Sequence, residues 1–363
     1  MSAITLEELM RLTFERNASD LLLTAGAPPQ LRINGFLESI GTEPLEPETT
    51  RALAYSLLDE KHAGQLQEAR TLDLSWGFDK MCRFRGNIYF QRDAIAMVMR
   101  RIPFVIPSFE ELGVPKIVKD FAFMPNGLVL ITGPAGSGKS TTMAAMVDYI
   151  SRNRQMHVVC IEDPIEYLHA HHRSIVDQRE IGQDARSFSE ALRSVFRQSP
   201  DVIMVGEMRD TETMQLALSL AETGHLILAT LHTQDTTHAV NRIVDSFPHA
   251  QQQQIYNQLS LVLVGVVSQQ LIISKDGRSR VLACEVMNVN NAIRNLIREM
   301  QPQQIYSVIE TGRSENMSTM NDSLARLCES DVIDVDVAMS RSLRPKELVK
   351  RLEVKLHSKK GEL

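Results

Sequence analysis

Leu128-Val129-Leu130-Ile131-Thr132-Gly133-Pro134-Ala135-Gly136-Ser137-Gly138-Lys139-Ser140-Thr141 decides the reading of this chain. Leu128 to Thr132 reads as a buried strand, and Thr141 to Ile150 as a helix. Between them, Gly133 is followed by four residues and then Gly138-Lys139-Ser140, the spacing of a phosphate-binding loop. Such a loop wraps backbone N–H groups around nucleotide phosphates and aims a helix N-terminus at them. Gly136 and Gly138 remove side chains where the backbone must come close. Lys139 brings charge to the β and γ phosphates, and Ser140 offers a hydroxyl to Mg²⁺. The residues from Gly133 through Pro134, Ala135, Ser137 and Thr141 are therefore the expected nucleotide-binding set, with ATP and Mg²⁺ as its ligands.

The chain has 363 residues, enough for about two domains. Net charge is −6, which argues against a general nucleic-acid binder. The cysteines, Cys82, Cys160, Cys284 and Cys328, form no CxxC pair and suggest neither zinc nor a redox motif. The longest apolar run, Leu261 to Val267, is too short to span a bilayer. No signal peptide is visible at Met1-Ser2-Ala3-Ile4-Thr5, so a cytoplasmic protein is expected.

Residues 4–17 have a helical apolar pattern. Strands are expected at Leu21–Thr24, Leu31–Gly35, Leu72–Phe78, Cys82–Gln91 and Ala94–Arg101, with helices at Pro47–Leu58 and Lys61–Ala69. This reads as an α+β domain with a mostly antiparallel sheet over 1–101. Prolines punctuate a linker or hinge at 102–115. Strands at 128–132, 157–161, 201–205 and 225–231 then alternate with helices at 139–151, 187–197, 211–222 and 236–246. That alternation implies an α/β core over 116–290 with a parallel sheet. Residues 291–363 read as helical with a polar tail.

Three segments supply what hydrolysis needs beyond binding. Glu162-Asp163-Pro164-Ile165-Glu166 follows the second core strand; it holds Mg²⁺ through water, or orients the attacking water, or is an acidic turn capping a strand. Asp201 to Glu207 is a strand ending in a carboxylate, with Gly206 where the usual Mg²⁺-binding Asp stands. Glu207 then serves, through water, as metal anchor, as water-polarising base, or both, or else starts the next helix as a cap. Gly224 to Thr233 is a strand flanked by His225 and His232; His232 is the better placed to sense a γ-phosphate, and His225 alone reads as structural. The core shows no obvious arginine finger. The N-terminal strands carry Arg83, Arg85, Arg92, Arg100 and Arg101, which either reach a neighbouring subunit's nucleotide or form a solvated basic face.

Taken together, these segments resemble the type II/IV secretion ATPase superfamily: phosphate loop, acidic box, atypical strand ending Gly206-Glu207 and histidine box occur in its order. The likeness is closer to the branch of pilus-retraction motors. Ser19-Asp20-Leu21, Pro28-Pro29, Arg32-Ile33-Asn34-Gly35 and Arg83-Phe84-Arg85 look like that branch's PAS-like N-terminal domain. Ala292-Ile293-Arg294-Asn295-Leu296-Ile297-Arg298-Glu299 looks like its retraction motif; physics alone reads it as an amphipathic helix with Ile293, Leu296 and Ile297 inward. The resemblance implies a PAS-like domain, a RecA-like P-loop ATPase domain and a helical C-terminal region. It implies a homohexamer at the inner face of the cytoplasmic membrane, acting on an inner-membrane platform protein and accompanied by a paralogous ATPase. It implies catalytic roles for Glu207, Glu166, His225 and His232, arginines such as Arg85 and Arg100 completing the site, and Ser140, Glu162 and Glu207 around Mg²⁺. One departure is Arg197-Gln198-Ser199-Pro200, where the retraction branch has an acidic pair before Pro; it is similar to the accessory retraction branch. A nucleic-acid motor is the reading from another class, and the acidic balance disfavours it.

Overall fold

The computed structural model describes residues 4–33, 35–78, 82–103, 105–277 and 279–360. Asn34 of the N-terminal motif, Phe104 of the linker and 361–363 of the tail lie outside them. The chain divides into two compact units, Met1–Val105 and Ile106–Leu363.

The first unit runs α1 (Leu6–Glu15), β1 (Asp20–Leu23), β2 (Gln30–Ile33), β3 (Phe36–Ser39), α2 (Pro47–Tyr55), α3 (Glu60–Ala69), β4 (Thr71–Phe78), β5 (Cys82–Gln91) and β6 (Ala94–Pro103). Its six strands lie in the order β3-β2-β1-β6-β5-β4, and every pairing is antiparallel. Alternation sets the faces. On β5, Cys82, Phe84 and Ile88 point into a core with Leu9, Leu21 and Leu66, while Arg83, Arg85 and Asn87 stay half-exposed. Cross-strand register puts Arg32, Asp20, Arg100 and Arg85 in one row across β2, β1, β6 and β5. Asp20 is buried and accepts from Arg100 Nε at 2.9 Å, with Arg32 Nε at 3.4 Å. Arg101 is in register with Phe84 instead, and Arg92 sits in the β5–β6 turn. The five arginines are thus not one group; Arg85 and Arg100 share a row, and Arg92 and Arg101 stand outside it.

The second unit contains α4 (Phe109–Leu112), α5 (Ile117–Ala122), β7 (Gly127–Thr132), α6 (Lys139–Asn153), β8 (His157–Glu162), β9 (Ile175–Glu180), α7 (Phe188–Val195) and β10 (Val202–Val205). It continues with α8 (Thr211–Glu222), β11 (Leu226–Leu231), α9 (Thr236–Asp245), α10 (His249–Val262), β12 (Leu263–Ile273) and β13 (Arg280–Asn288). Helices α11 (Asn291–Arg298), α12 (Ile305–Thr311), α13 (Met320–Glu329), α14 (Val335–Arg341) and α15 (Pro345–Lys360) follow. The sheet order is β13-β12-β7-β11-β10-β8-β9. Six strands are parallel, and β13 returns antiparallel to β12.

Both faces of β7 are buried. Leu128 and Leu130 enter the core formed with α7 to α12; Val129 and Ile131 enter the core formed with α4 to α6. That double burial explains the unbroken apolar run before the phosphate loop.

The parallel sheet expected from alternation is extended by three strands that alternation did not reveal. β9 is half-exposed, with Asp177, Gln178 and Arg179 in it. β12 follows α10 without a turn, so Leu261–Val267 straddles a helix end and a strand start. β13 forms a hairpin with β12. The linker is also shorter than 102–115: β6 reaches Pro103, and Phe109 is buried in the second unit. The C-terminal helices belong to the second unit. Ile293, Ile297, Ile305 and Ile309 enter its larger core, while Leu324, Ala338 and Leu348 form a smaller one with Ile272 of β12 and Ala283 of β13.

Candidate active site

A cleft of ≈ 270 Å³ opens at the C-terminal ends of β7, β8, β10 and β11. This is where open α/β sheets bind ligands. Its floor is the phosphate loop. Gly136 and Gly138 have φ of +75° and +90°, which L side chains rarely adopt. A Cβ on Gly133 would sit 2.3 Å from Gln269 O and 2.6 Å from Ser137 Oγ, so β12 and the loop itself exclude any larger residue there. Lys139 Nζ donates to Gly133 O at 2.8 Å and Pro134 O at 3.0 Å. Burial lowers the Lys139 pKa, and the nearby Glu207 charge opposes that shift. The buried hydroxyl of Ser137 has no partner among the described residues, as fits a loop built for an external acceptor. Ser140 is exposed at the cleft, where a metal-bound water or the metal itself can reach it.

The wall is acidic and cationic together. Glu207 Oε1 lies 3.1 Å from His232 Nε2, and Glu207 Oε2 lies 2.8 Å from Arg209 Nη2. Burial pushes the Glu207 carboxyl up, but Arg209 and His232 outweigh it and the pKa is lowered. Glu207 is thus held ionised. Gly206 is tight: a Cβ would come 3.2 Å from Ile161 O and 3.3 Å from Glu162 Cα. A side chain at 206 would require the backbone at the end of β8 to give by a few tenths of an ångström. Glu162 is buried, accepting from Gln178 Nε2 at 2.9 Å and Glu166 N at 3.3 Å. Burial raises its pKa to about 7. Glu166 is exposed and lines the same cleft. Glu162, Glu166, Glu207 and His232 are therefore brought together with Lys139 and Ser140. The acidic stretch is a cleft wall, not a remote strand cap.

His225 lies elsewhere. It precedes β11 while His232 follows it, roughly 20 Å away along a strand of this length. Its Nδ1 sits 3.0 Å from Leu220 O and 3.2 Å from Thr223 Oγ1. Within one chain it serves the α8–β11 turn and not the cleft. Arg85 and Arg100 belong to the first unit, as described above. The octet from Ala292 to Glu299 covers α11 from its second residue and the residue after it. Ile293 and Ile297 are buried, Leu296 is half-buried, and Ala292, Asn295, Arg298 and Glu299 are exposed. Arg294 Nη1 donates to Ser260 O at 2.9 Å and Leu261 O at 3.0 Å, closing the C-terminus of α10.

Sequence reading missed several cleft residues. The core does place an arginine in the site: Arg209, two residues after Glu207, which sequence proximity alone could have flagged. His169 lines the cleft with its Nδ1 buried and unpartnered among the described residues, and burial depresses its pKa to about 4. Tyr167 reaches Thr141 Oγ1 at 3.1 Å through its hydroxyl. Nothing in the local sequence around His169 or Tyr167 pointed to these positions.

A family profile described as type II/IV secretion system protein matches residues 97–331. The chain belongs to that family. The type IV pilus retraction ATPase PilT of Pseudomonas aeruginosa is 43% identical over 93% of this chain and 98% of its own length. The type IV pilus ATPase PilU of the same organism is 39% identical over 97% of this chain and 92% of its own. A crystal structure of the pilus retraction motor PilT with bound ADP superposes at a TM-score of 0.90, with 45% identity, covering 96% of this chain and 99% of that one. The Legionella pneumophila ATPase DotB follows at a TM-score of 0.79 and 25% identity, covering 93% and 96%. For this type II/IV secretion family member the phosphate loop, acidic wall and His232 occur in one cleft, so the family's order of motifs corresponds to one site.

Proposed function

We infer that the protein is an ATP-hydrolysing motor of pilus retraction, of the PilT type before the PilU type. The convergence of Lys139, Ser140, Glu207 and His232 on one cleft carries this reading, together with the high similarity to PilT over nearly the whole chain. Gly133 to Thr141 bind the phosphates, with Lys139 exchanging its loop carbonyls for phosphate oxygens. Ser140 and Glu207, with Glu162 behind them, would hold Mg²⁺, which when bound neutralises charge developing on the phosphoryl oxygens. Glu207 stays ionised because Arg209 and His232 flank it, which suits holding a cation or orienting water better than taking a proton. Glu166 stands at the cleft to orient the attacking water. His232 couples the Glu207 carboxylate to the end of β11 and is placed to respond to the γ-phosphate.

The motor works as a homohexamer at the cytoplasmic face of the inner membrane, pulling on a platform protein, with Arg85 and Arg100 completing a site alongside ATP. No helix among the described residues is long and apolar enough to cross a membrane. The octet at 292–299 presents Asn295, Arg298 and Glu299 outward for retraction-specific contacts. The PilU reading rests on Arg197-Gln198-Ser199-Pro200 before β10.

Deletion in the host tests the direction of work. Surplus surface pili with lost surface motility are expected; absent pili would overturn retraction in favour of assembly. Glu207→Gln tests the site: ATP turnover should fall by roughly a hundredfold or more, on the scale of removing a key electrostatic group. An unchanged rate would remove Glu207 from catalysis.

A further inference from the structure

Behind the cleft, on the edge of the sheet, a carboxylate is buried that the hydrolytic site does not use. Glu285 lies on β13 and is 3% exposed. Its Oε1 accepts from Thr236 N at 3.0 Å and from Thr236 Oγ1 at 2.8 Å. Its Oε2 accepts from Met320 N at 3.2 Å. Thr236 is the first residue of α9, and Met320 is the first residue of α13. One carboxylate therefore takes the leading N–H of two separate helices.

Those N–H groups have no partner within their own helices, and both helix dipoles place positive potential where the negative oxygens lie. Burying a carboxylate costs solvation that its three donors only partly offset, and what an apolar residue in its place would not do is join two helix starts.

The position of α9 gives that job. Thr236 is four residues after His232, and His232 holds Glu207. The intervening loop is fixed at a second point, where Ser268 Oγ donates to Gln234 O at 2.9 Å. Ser268 is in register with Glu285 on one side and with Thr132, the residue before Gly133, on the other. A polar rung thus crosses β7, β12 and β13 beneath the phosphate loop and the His232 loop. Beyond Met320, Asp322 of α13 is paired with Arg351 of α15 and with Arg313.

We propose that Glu285 is a positioning residue for ATP turnover: by tying the N-terminus of α9 to that of α13, it sets the His232 loop against Glu207 and makes this setting depend on the C-terminal helices. The inference rests on the reading of His232 and Glu207 as parts of the hydrolytic site. Glu285 itself bonds Thr236 and Met320 and not the phosphate loop, so the tie is expected to act on kcat and to leave KM for ATP nearly alone.

Two variants test it in the full-length protein. Glu285→Gln keeps the size but offers one acceptor oxygen in place of two, so one helix loses its partner. Thr236→Val removes a single hydroxyl and serves if Glu285→Gln folds poorly. Each is expected to lower kcat about tenfold, the scale of one lost partner to a buried charged group, with KM for ATP within about twofold and an intact thermal transition. In a His232→Ala background neither variant should lower kcat further, because the group being positioned is gone. A kcat at the parent value in both folded variants would overturn the proposal, as would the same fractional loss with and without His232. If His232→Ala alone turns over at the parent rate, the reading of His232 fails and takes this proposal with it. Parent kcat in the Glu285 and Thr236 variants beside a slowed His232→Ala sinks the positioning role only.

Discussion

Glu207 and Glu162 show how two carboxylates in one cleft acquire different characters. Glu207 is paired with Arg209 and His232 and is held below the usual carboxylate range. Glu162 has only neutral donors, Gln178 and the Glu166 N–H, and burial lifts it to about 7. His169 is shifted the other way, to about 4, because burial disfavours its cation. These shifts have opposite consequences for stability. His169 is neutral in the fold, so its contribution is complete above its unfolded pKa of about 6.5 and is lost as pH falls toward 4, amounting to about 3 kcal/mol at the acid end. Glu162 binds its proton more tightly in the fold than unfolded, so its contribution grows as pH falls from about 7 toward its unfolded value of about 4.5. Melting curves between pH 7.5 and 4.5 should therefore separate two variants of the nucleotide-free protein. Relative to the parent, His169→Phe should gain stability on acidification and Glu162→Gln should lose it. Differences from the parent that do not change with pH would mean that neither group is shifted by the fold.

At the scale of elements, α11 combines packing and presentation on one helix. Asn290 caps it, accepting from Ile293 N at 3.0 Å. The 3.6-residue period puts Ile293 and Ile297 on one side, both fully buried, and leaves Asn295, Arg298 and Glu299 on the other. The two faces should be separable by mutation. Ile297→Ala leaves a cavity in the larger core and should cost about 2–5 kcal/mol in denaturant unfolding. Arg298→Ala should change stability by less than about 0.5 kcal/mol and leave basal ATP turnover intact, while impairing retraction in the host. Normal retraction with Arg298→Ala would remove that side chain from the motif's work. The β12–β13 hairpin is the second instructive element. It supplies the Gln269 carbonyl against Gly133, Ser268 to the His232 loop and Glu285 to two helices. This strand pair therefore packs against the phosphate loop at Gly133 and bonds the loop after His232 at Gln234.

At the scale of the whole molecule, the chain is built as two compact units, Met1–Val105 and Ile106–Leu363, each with its own sheet and core. The row of Arg32, Asp20, Arg100 and Arg85 gives the first unit a cationic surface whose guanidiniums are partly held by Asp20. A ring of six chains sharing such surfaces is the assembly proposed above. Sizing or sedimentation with ATP should give a hexamer; a monomer at all concentrations would overturn the ring, and with it the contribution of Arg85 and Arg100 from a neighbour.

The sequence by itself determined the phosphate loop, the α/β alternation of the second unit, the antiparallel character of the first, and the acidic and histidine segments of the cleft. These are local: the loop's ligands are its own backbone, and period-2 or period-3.6 burial is written in neighbouring residues. Only the tertiary structure decided which of the candidates meet. His225 and His232 look alike in sequence, but strand direction puts one at each end of β11. Arg209 and His169 enter the cleft because β8 and β10 are adjacent in the sheet, although some forty residues separate them in the chain. Glu285 on β13 reaches Thr236 and Met320 across 49 and 35 residues. Sheet order sets such pairings through the summed burial of whole strands, a quantity that no local window of residues contains.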